Sequence, residues 1–115
     1  MSKKPFYFSL YVAIKGLMYL ILKERNIKLH LLVAILFLGT SYYWNRSLEE
    51  LIIIAFGFSV VITIEMVNTV FEEVVNFISP DYHKKAGLIK DMAAGTVLFI
   101  SGCNSFFSLL KIFIL

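Results

Sequence analysis

The sequence predicts an all-α integral membrane protein with three transmembrane helices and an N-terminal amphipathic helix lying in the interface. Composition is the first observation behind this. Of 115 residues, 59% are hydrophobic and 17% charged, against about half and about a quarter in soluble domains. A domain this small buries a modest share of its surface, so the excess apolar surface faces lipid. The second observation is a set of three long apolar stretches, and the third is an uneven spread of charge along the chain. Residues 1–115 read as one domain, since the length leaves no room for another.

Residues 5–28 are apolar but too often charged to span. Phe6, Leu10, Ala13, Leu17, Leu20 and Ile21 recur at helical spacing, while Lys4, Lys15 and Lys23 fall elsewhere. That pattern suits a helix lying in the interface. Residues 29–44 form the first span, with His30 and Ser41 as polar residues near its ends. Tyr42, Tyr43 and Trp44 place an aromatic belt at the headgroup level. Asn45, Arg46 and Ser47 make a tight polar turn. Residues 48–78 read as one helix of about 45 Å, long enough to cross the bilayer and extend beyond it. Pro80 ends it, because the residue before a proline resists the α conformation. Residues 79–91 read as a loop with both signs of charge. Residues 92–115 form the third span, in which Ala93, Ala94 and Gly95 are small residues that allow close helix approach.

Charge orients the chain. Residues 1–28 hold Lys3, Lys4, Lys15, Lys23, Arg25 and Lys28 against Glu24 alone. The 44–50 turn has Arg46, and the 79–91 loop has Lys84, Lys85 and Lys90. Basic residues in short loops mark the cytoplasmic side. The N-terminus and the 79–91 loop are therefore expected in the cytoplasm and the C-terminus outside. Glu24, Glu72, Lys90 and Asp91 then share the face of the membrane that meets ATP. The basic lead segment suits an anionic membrane surface. No nucleic-acid motif accompanies it, and no nucleic-acid partner is expected.

Several function classes drop out. Cys103 is the sole cysteine, so neither an intrachain disulfide nor a CxxC or zinc spacing exists. No small-x-small cleavage site follows the first apolar run, so it is not read as a cleavable signal peptide. No GxxxxGK[ST] or GxGxxG is present.

The polar residues of the 48–78 helix carry the chemistry. Glu65 ends an apolar run broken by Ser59 and Thr63. An ionisable residue on a membrane helix is costly and marks a functional site by default. Asn68 and Glu72 share its helical face, while Glu73 points elsewhere. Glu65 and Glu72 are separated by about 10.5 Å of rise, one near the membrane boundary and one in water. A carboxylate at the boundary suits a general base for a lipid hydroxyl. A carboxylate in water suits magnesium, which takes one or two carboxylates plus substrate phosphates. Glu24 can supply the second metal carboxylate from the interfacial helix. Lys90 can contact phosphate as a point charge, with Asp91 beside it.

Blander readings compete with these. Glu65 can pair with a lysine inside the bundle, Glu72 and Glu73 can form a solvated helix end, and Lys84, Lys85 and Lys90 can be topogenic charges. His30 and His83 read more readily as interface and loop residues than as ligands. A small ion- or proton-conducting bundle with Glu65 and Glu72 as a relay is the alternative function, and a non-catalytic assembly subunit is a third. Spacing alone reaches a membrane protein with a polar cytoplasmic site.

The motif Glu65-Met-Val-Asn68-Thr69-Val-Phe-Glu72-Glu-Val-Val-Asn76 resembles the signature of the prokaryotic diacylglycerol kinase and undecaprenol kinase family, roughly E-x-x-N-[ST]-small-aliphatic-E-x-x-V-D. Lys15-Gly16, Glu24-x-Asn26-x-x-x-His30, Tyr82-His83 and Lys90-Asp91-Met-Ala-Ala-Gly95 agree in order and distance, over nearly the whole chain. The resemblance implies a small homotrimer in the inner membrane, with active sites shared between subunits, that transfers the γ-phosphate of ATP with Mg2+ to a lipid hydroxyl. On matching positions it implies Glu65 as catalytic base and Asn68 as its support. It implies Glu24 and Glu72 as metal carboxylates, and Asn76, Asp81, Tyr82, His83, Lys90 and Asp91 at the nucleotide. Glu24-x-Asn26-x-x-x-His30 is similar to the branch that often phosphorylates undecaprenol; diacylglycerol is the other expected substrate. Val70 and Phe71 replace smaller residues, and Asn76 replaces the usual aspartate. Near the start, Lys3 or Lys4 stands in for an arginine found in some members.

Overall fold

Nearly all of the described chain lies in four helices: α1 (Phe6–Lys23), α2 (Arg25–Tyr43), α3 (Leu48–Ile78) and α4 (Lys84–Ile114). The computed structural model describes residues 5–81 and 83–114, with the backbone alone for 112–114. The fold is all-α. All four helices are long and apolar enough to cross a membrane. α1 matches the other three by length and composition, so those measures do not separate an interfacial helix from a span. α3 packs against α4 on one side and α2 on the other, and α1 touches α2. Their outer faces present large apolar side chains, among them Phe56, Leu98, Phe99 and Phe107. So much exposed apolar surface requires a lipid or protein neighbour, and the chain is a multi-pass membrane protein.

The division between the first two helices differs from the expected boundary at 28/29. Glu24 is a single extended residue, φ −96° and ψ 119°, between α1 and α2. Its N–H still bonds Leu20 O at 3.1 Å, closing α1, and its carbonyl accepts Lys28 N–H at 3.3 Å, opening α2. No glycine or proline forces this break. It swings Ile27 inward, where the side chain is 0% exposed and joins Ala34 and Ile62, with Leu20, Leu31, Phe58 and Met66 packed around them. Burying an isoleucine contributes about 1.5–3 kcal/mol, enough to set where the chain bends.

The α2–α3 turn follows from local chemistry. Asn45 has φ 57°, the left-handed conformation asparagine tolerates. Around it, Arg46 N–H bonds Ser41 O and Asn45 N–H bonds Tyr42 O, both at 3.1 Å, a Schellman closure of α2. α3 then opens on a capping box. Ser47 Oγ accepts from Glu50 N–H at 3.2 Å and donates to Glu50 Oε1 at 3.4 Å. At its far end, Ser79 N–H bonds Val75 O at 2.8 Å and Pro80 follows.

One further expectation is corrected. The helix expected from 92 begins at Lys84, because Gly87 N–H bonds His83 O at 3.0 Å and His83 Nδ1 accepts Lys85 N–H at 3.2 Å. Charge made this stretch read as loop, yet its residues are ordinary helix formers once the first turn is capped. The close α3–α4 approach is at Gly57, where a Cβ would lie 2.7 Å from Asn104 Oδ1; at Gly95 a Cβ would meet nothing within 4 Å.

Candidate functional site

The polar residues of α3 emerge from its apolar run in a fixed order. Glu65 and Thr69 are buried, at 7% and 4% exposure. Thr69 Oγ1 donates to Glu65 O at 3.2 Å, so its hydroxyl is satisfied within the helix. Asn68 and Glu72 are half-buried, and Asn68 Nδ2 donates to Glu72 Oε1 at 3.3 Å. That bond puts Asn68 and Glu72 on one side of α3. Asn68 Oδ1 is buried with no donor, so the amide has an acceptor free for a hydroxyl or a water.

A buried carboxylate costs several kcal/mol unless paired. The partner of Glu65 is neither lysine nor arginine. His30 of α2 brings Nδ1 against Glu65 Oε2, and neither of these buried atoms has a hydrogen-bond partner elsewhere among the described residues. From its place in the sequence His30 reads as an interface residue. The available signal was depth: His30 and Glu65 both interrupt apolar runs near the same end of antiparallel helices.

The aqueous end of the bundle gathers the remaining charges. Lys90 of α4 donates to Asn76 Oδ1 at 2.5 Å, one turn beyond Glu72. Lys23, at the end of α1, pairs with Glu73 at 2.6 Å. Because Lys23 adjoins Glu24 and Glu73 adjoins Glu72, this pair brings the α1–α2 joint to the level of Glu72. Glu24 is half-buried there, and Asp91 is exposed beside Lys90. Asp81 and His83 are exposed in the connector, where Asp81 O accepts from Ser79 Oγ at 3.2 Å. Tyr82, Lys3 and Lys4 lie outside the described residues.

Among the described residues, no three His, Cys, Asp or Glu side chains converge on one point. The donors at this end, Glu24 and Glu72, are hard oxygens. They fit magnesium, which keeps its waters and leans on substrate phosphates rather than on a protein cage.

Residues 11–113 match the family described as "Prokaryotic diacylglycerol kinase". The chain is 27% identical over 84 residues to a protein of Synechocystis sp. (strain ATCC 27184 / PCC 6803 / Kazusa) named "Diacylglycerol kinase". That similarity covers 72% of this chain and 48% of the relative, so the chain spans about half the length of the curated relative it matches.

Proposed function

The chain belongs to the prokaryotic diacylglycerol kinase family, and on that premise we propose that it is a lipid kinase of the membrane. The substrate is a long-chain lipid alcohol, diacylglycerol or undecaprenol, and the phosphoryl donor is ATP with Mg2+. One observation carries the reading: a buried carboxylate, Glu65, lies on the helix whose next two turns present Asn68 and Glu72, at the end of the bundle where Lys90 meets α3.

In this mechanism the lipid hydroxyl reaches Glu65 from the interface. Glu65 takes its proton as the oxygen attacks the γ-phosphorus; the new P–O bond forms, the bond to the β-phosphate bridge oxygen breaks, and ADP leaves. Asn68 supports Glu65 from the next turn and steadies Glu72 through Nδ2. Glu24 and Glu72 would hold the magnesium, which would neutralise the phosphate charge. Lys90 turns from Asn76 to the phosphates, with Asp91, Asp81, Tyr82 and His83 around the nucleotide. Such transfer needs positioning and charge neutralisation more than covalent chemistry.

Three crossings by α2, α3 and α4, with α1 in the interface, put the N-terminus and the α3–α4 connector on the cytoplasmic side of the inner membrane. A homotrimer completes each site between subunits, which accords with the dispersed metal and nucleotide residues of the single chain. The ion-conducting alternative draws no support, since residues 51–64 of α3 and 92–110 of α4 carry no charge.

The test is a phosphorylation assay of the purified protein in lipid, with ATP and Mg2+, comparing diacylglycerol with undecaprenol. Phosphorylated lipid from either substrate supports the reading. ATP-free ion flux from sealed vesicles, with no lipid product, refutes it.

A further inference from the structure

We propose that His30 is the positioning residue for the catalytic carboxylate: from α2 it grips Oε2 of Glu65, leaving Oε1 as the oxygen that meets the lipid hydroxyl. The inference rests on the kinase reading above and deepens it by dividing the two oxygens between two tasks.

Burial is the first support. The Glu65 side chain is 9% exposed, so its carboxylate has little water to turn toward and takes its orientation from protein partners. Identity is the second. Among the described residues, His30 is the one side chain paired with that carboxylate; the described ion pairs elsewhere are Lys23–Glu73 and Arg46–Glu50. The third is the asymmetry of the two groups. Oε2 and His30 Nδ1 are sealed against each other. Among the described residues Oε1 accepts no hydrogen bond, and unlike Oε2 it is not among the sealed atoms, which leaves it as the oxygen open to another partner. An imidazole suits this duty at the membrane boundary. A lysine ammonium would swivel on a flexible stem, whereas the planar ring has two torsions and is held by its helix. It fixes one carboxylate edge without carrying a permanent charge into the apolar zone.

The contact also links two helices. Glu65 belongs to α3 and His30 to α2, so the direction of the base depends on how these helices pack around Ile27, Ala34 and Ile62. A misplacement of about 1 Å at a reacting group lowers turnover on the order of 100-fold, and a carboxylate released from His30 can rotate by more than that.

The experiment compares His30→Leu with His30→Asn in the full-length protein in lipid. Asparagine keeps an N–H donor near the place of Nδ1; leucine keeps bulk alone. His30→Leu is expected to lower kcat on the order of 100-fold, with KM for MgATP within about twofold because the nucleotide end is untouched. His30→Asn is expected to restore most of kcat. A leucine variant with wild-type kcat overturns the proposal, as does an equal loss in both variants, which marks a packing role. A second arm reads the contact without turnover: the 15N resonance of His30 Nδ1 is expected to shift on Glu65→Gln. No shift there also overturns it. Wild-type protein that phosphorylates neither lipid defeats the kinase reading itself, and the 15N arm then still reports separately on the contact.

Discussion

Two side-chain pairs anchor α3, roughly two turns apart, and they sit in different media. At His30–Glu65 the two touching atoms are buried, and the Glu65 side chain is 9% exposed although the outer part of the His30 ring reaches 39%. Lys23–Glu73 lies open at 2.6 Å, with side chains 37% and 54% exposed. Each joins α3 to a neighbouring helix, so a list of contacts would rank them alike. Their surroundings rank them differently. Removing one member of a buried pair leaves an uncompensated polar group where water cannot reach it. Removing one member of an exposed pair returns the other to solvent at little cost. The same element thus carries a contact that fixes an atom and a contact that merely touches.

The strongest way to break this comparison is Glu65→Gln. It keeps the shape and a polar head, so the fold and the elution profile are expected to persist. Lipid phosphorylation is expected to fall by roughly 100- to 10,000-fold, the usual contribution of a general base. Near-full turnover in this variant would show that the enclosed carboxylate is structural and that enclosure is a poor guide to function here.

Lys90→Ala probes the aqueous end with a smaller expected effect. Lys90 now spends its ammonium on Asn76 at 2.5 Å, and in the proposed mechanism it exchanges that oxygen for phosphate. KM for ATP is expected to rise about tenfold, equivalent to about 1.4 kcal/mol, with KM for the lipid unchanged. Steady-state kinetics against both substrates checks it. A rise for the lipid alone would move Lys90 from the nucleotide to the interface.

Much of this geometry is legible from residue order, and the exceptions share a cause. The α3 helix and its stop need only the apolar run and Pro80. The shared face of Asn68 and Glu72 needs only helical spacing. The α2–α3 turn needs only Asn45 and the Ser47–Glu50 box. What escapes the sequence depends on contacts between helices. The break at Glu24 has no glycine or proline to announce it and follows from Ile27 entering the core. His30 looks like an ordinary interface residue until α2 is laid against α3. The start of α4 at Lys84 was hidden by charge, because a run of lysines reads as solvated loop whether or not it is helical. Gly57 is one glycine among six, and only the position of Asn104 singles it out.

Gly57→Leu separates packing from polarity, since it disturbs the α3–α4 seam while leaving both side-chain pairs in place. A side chain at Gly57 meets the Asn104 amide at 2.7 Å. Overfilling a seam of this kind costs about 1–3 kcal/mol, expected as a lower thermal midpoint in detergent. Gly57→Ala is expected to cost less, because the Asn104 amide can swing aside. Gly95→Ala is expected to be neutral for the chain's own packing, as its Cβ meets open space. A Gly95→Ala loss equal to that of Gly57→Leu would place a close helix contact there, against a second copy.

The smallest expected effect is at the open pair, and it sharpens the comparison most. Lys23→Ala removes the ammonium and leaves Glu73 in solvent. Thermal stability is expected to be indistinguishable from wild type at physiological salt, where exposed charges are screened. Turnover is expected to stay within about twofold, since an exposed pair holds its partners loosely. The outcome that would change the argument is a large loss of turnover with unchanged stability and a raised Mg2+ requirement. Lys23 precedes Glu24 and Glu73 follows Glu72, so that result would mean the open pair is a strap setting the spacing of the two metal carboxylates. Glu73→Gln would then reproduce the loss, because it cuts the same strap from the other helix. If Glu73→Gln instead kept full turnover, the defect in Lys23→Ala would belong to the α1–α2 joint itself, and the open pair would keep its minor place.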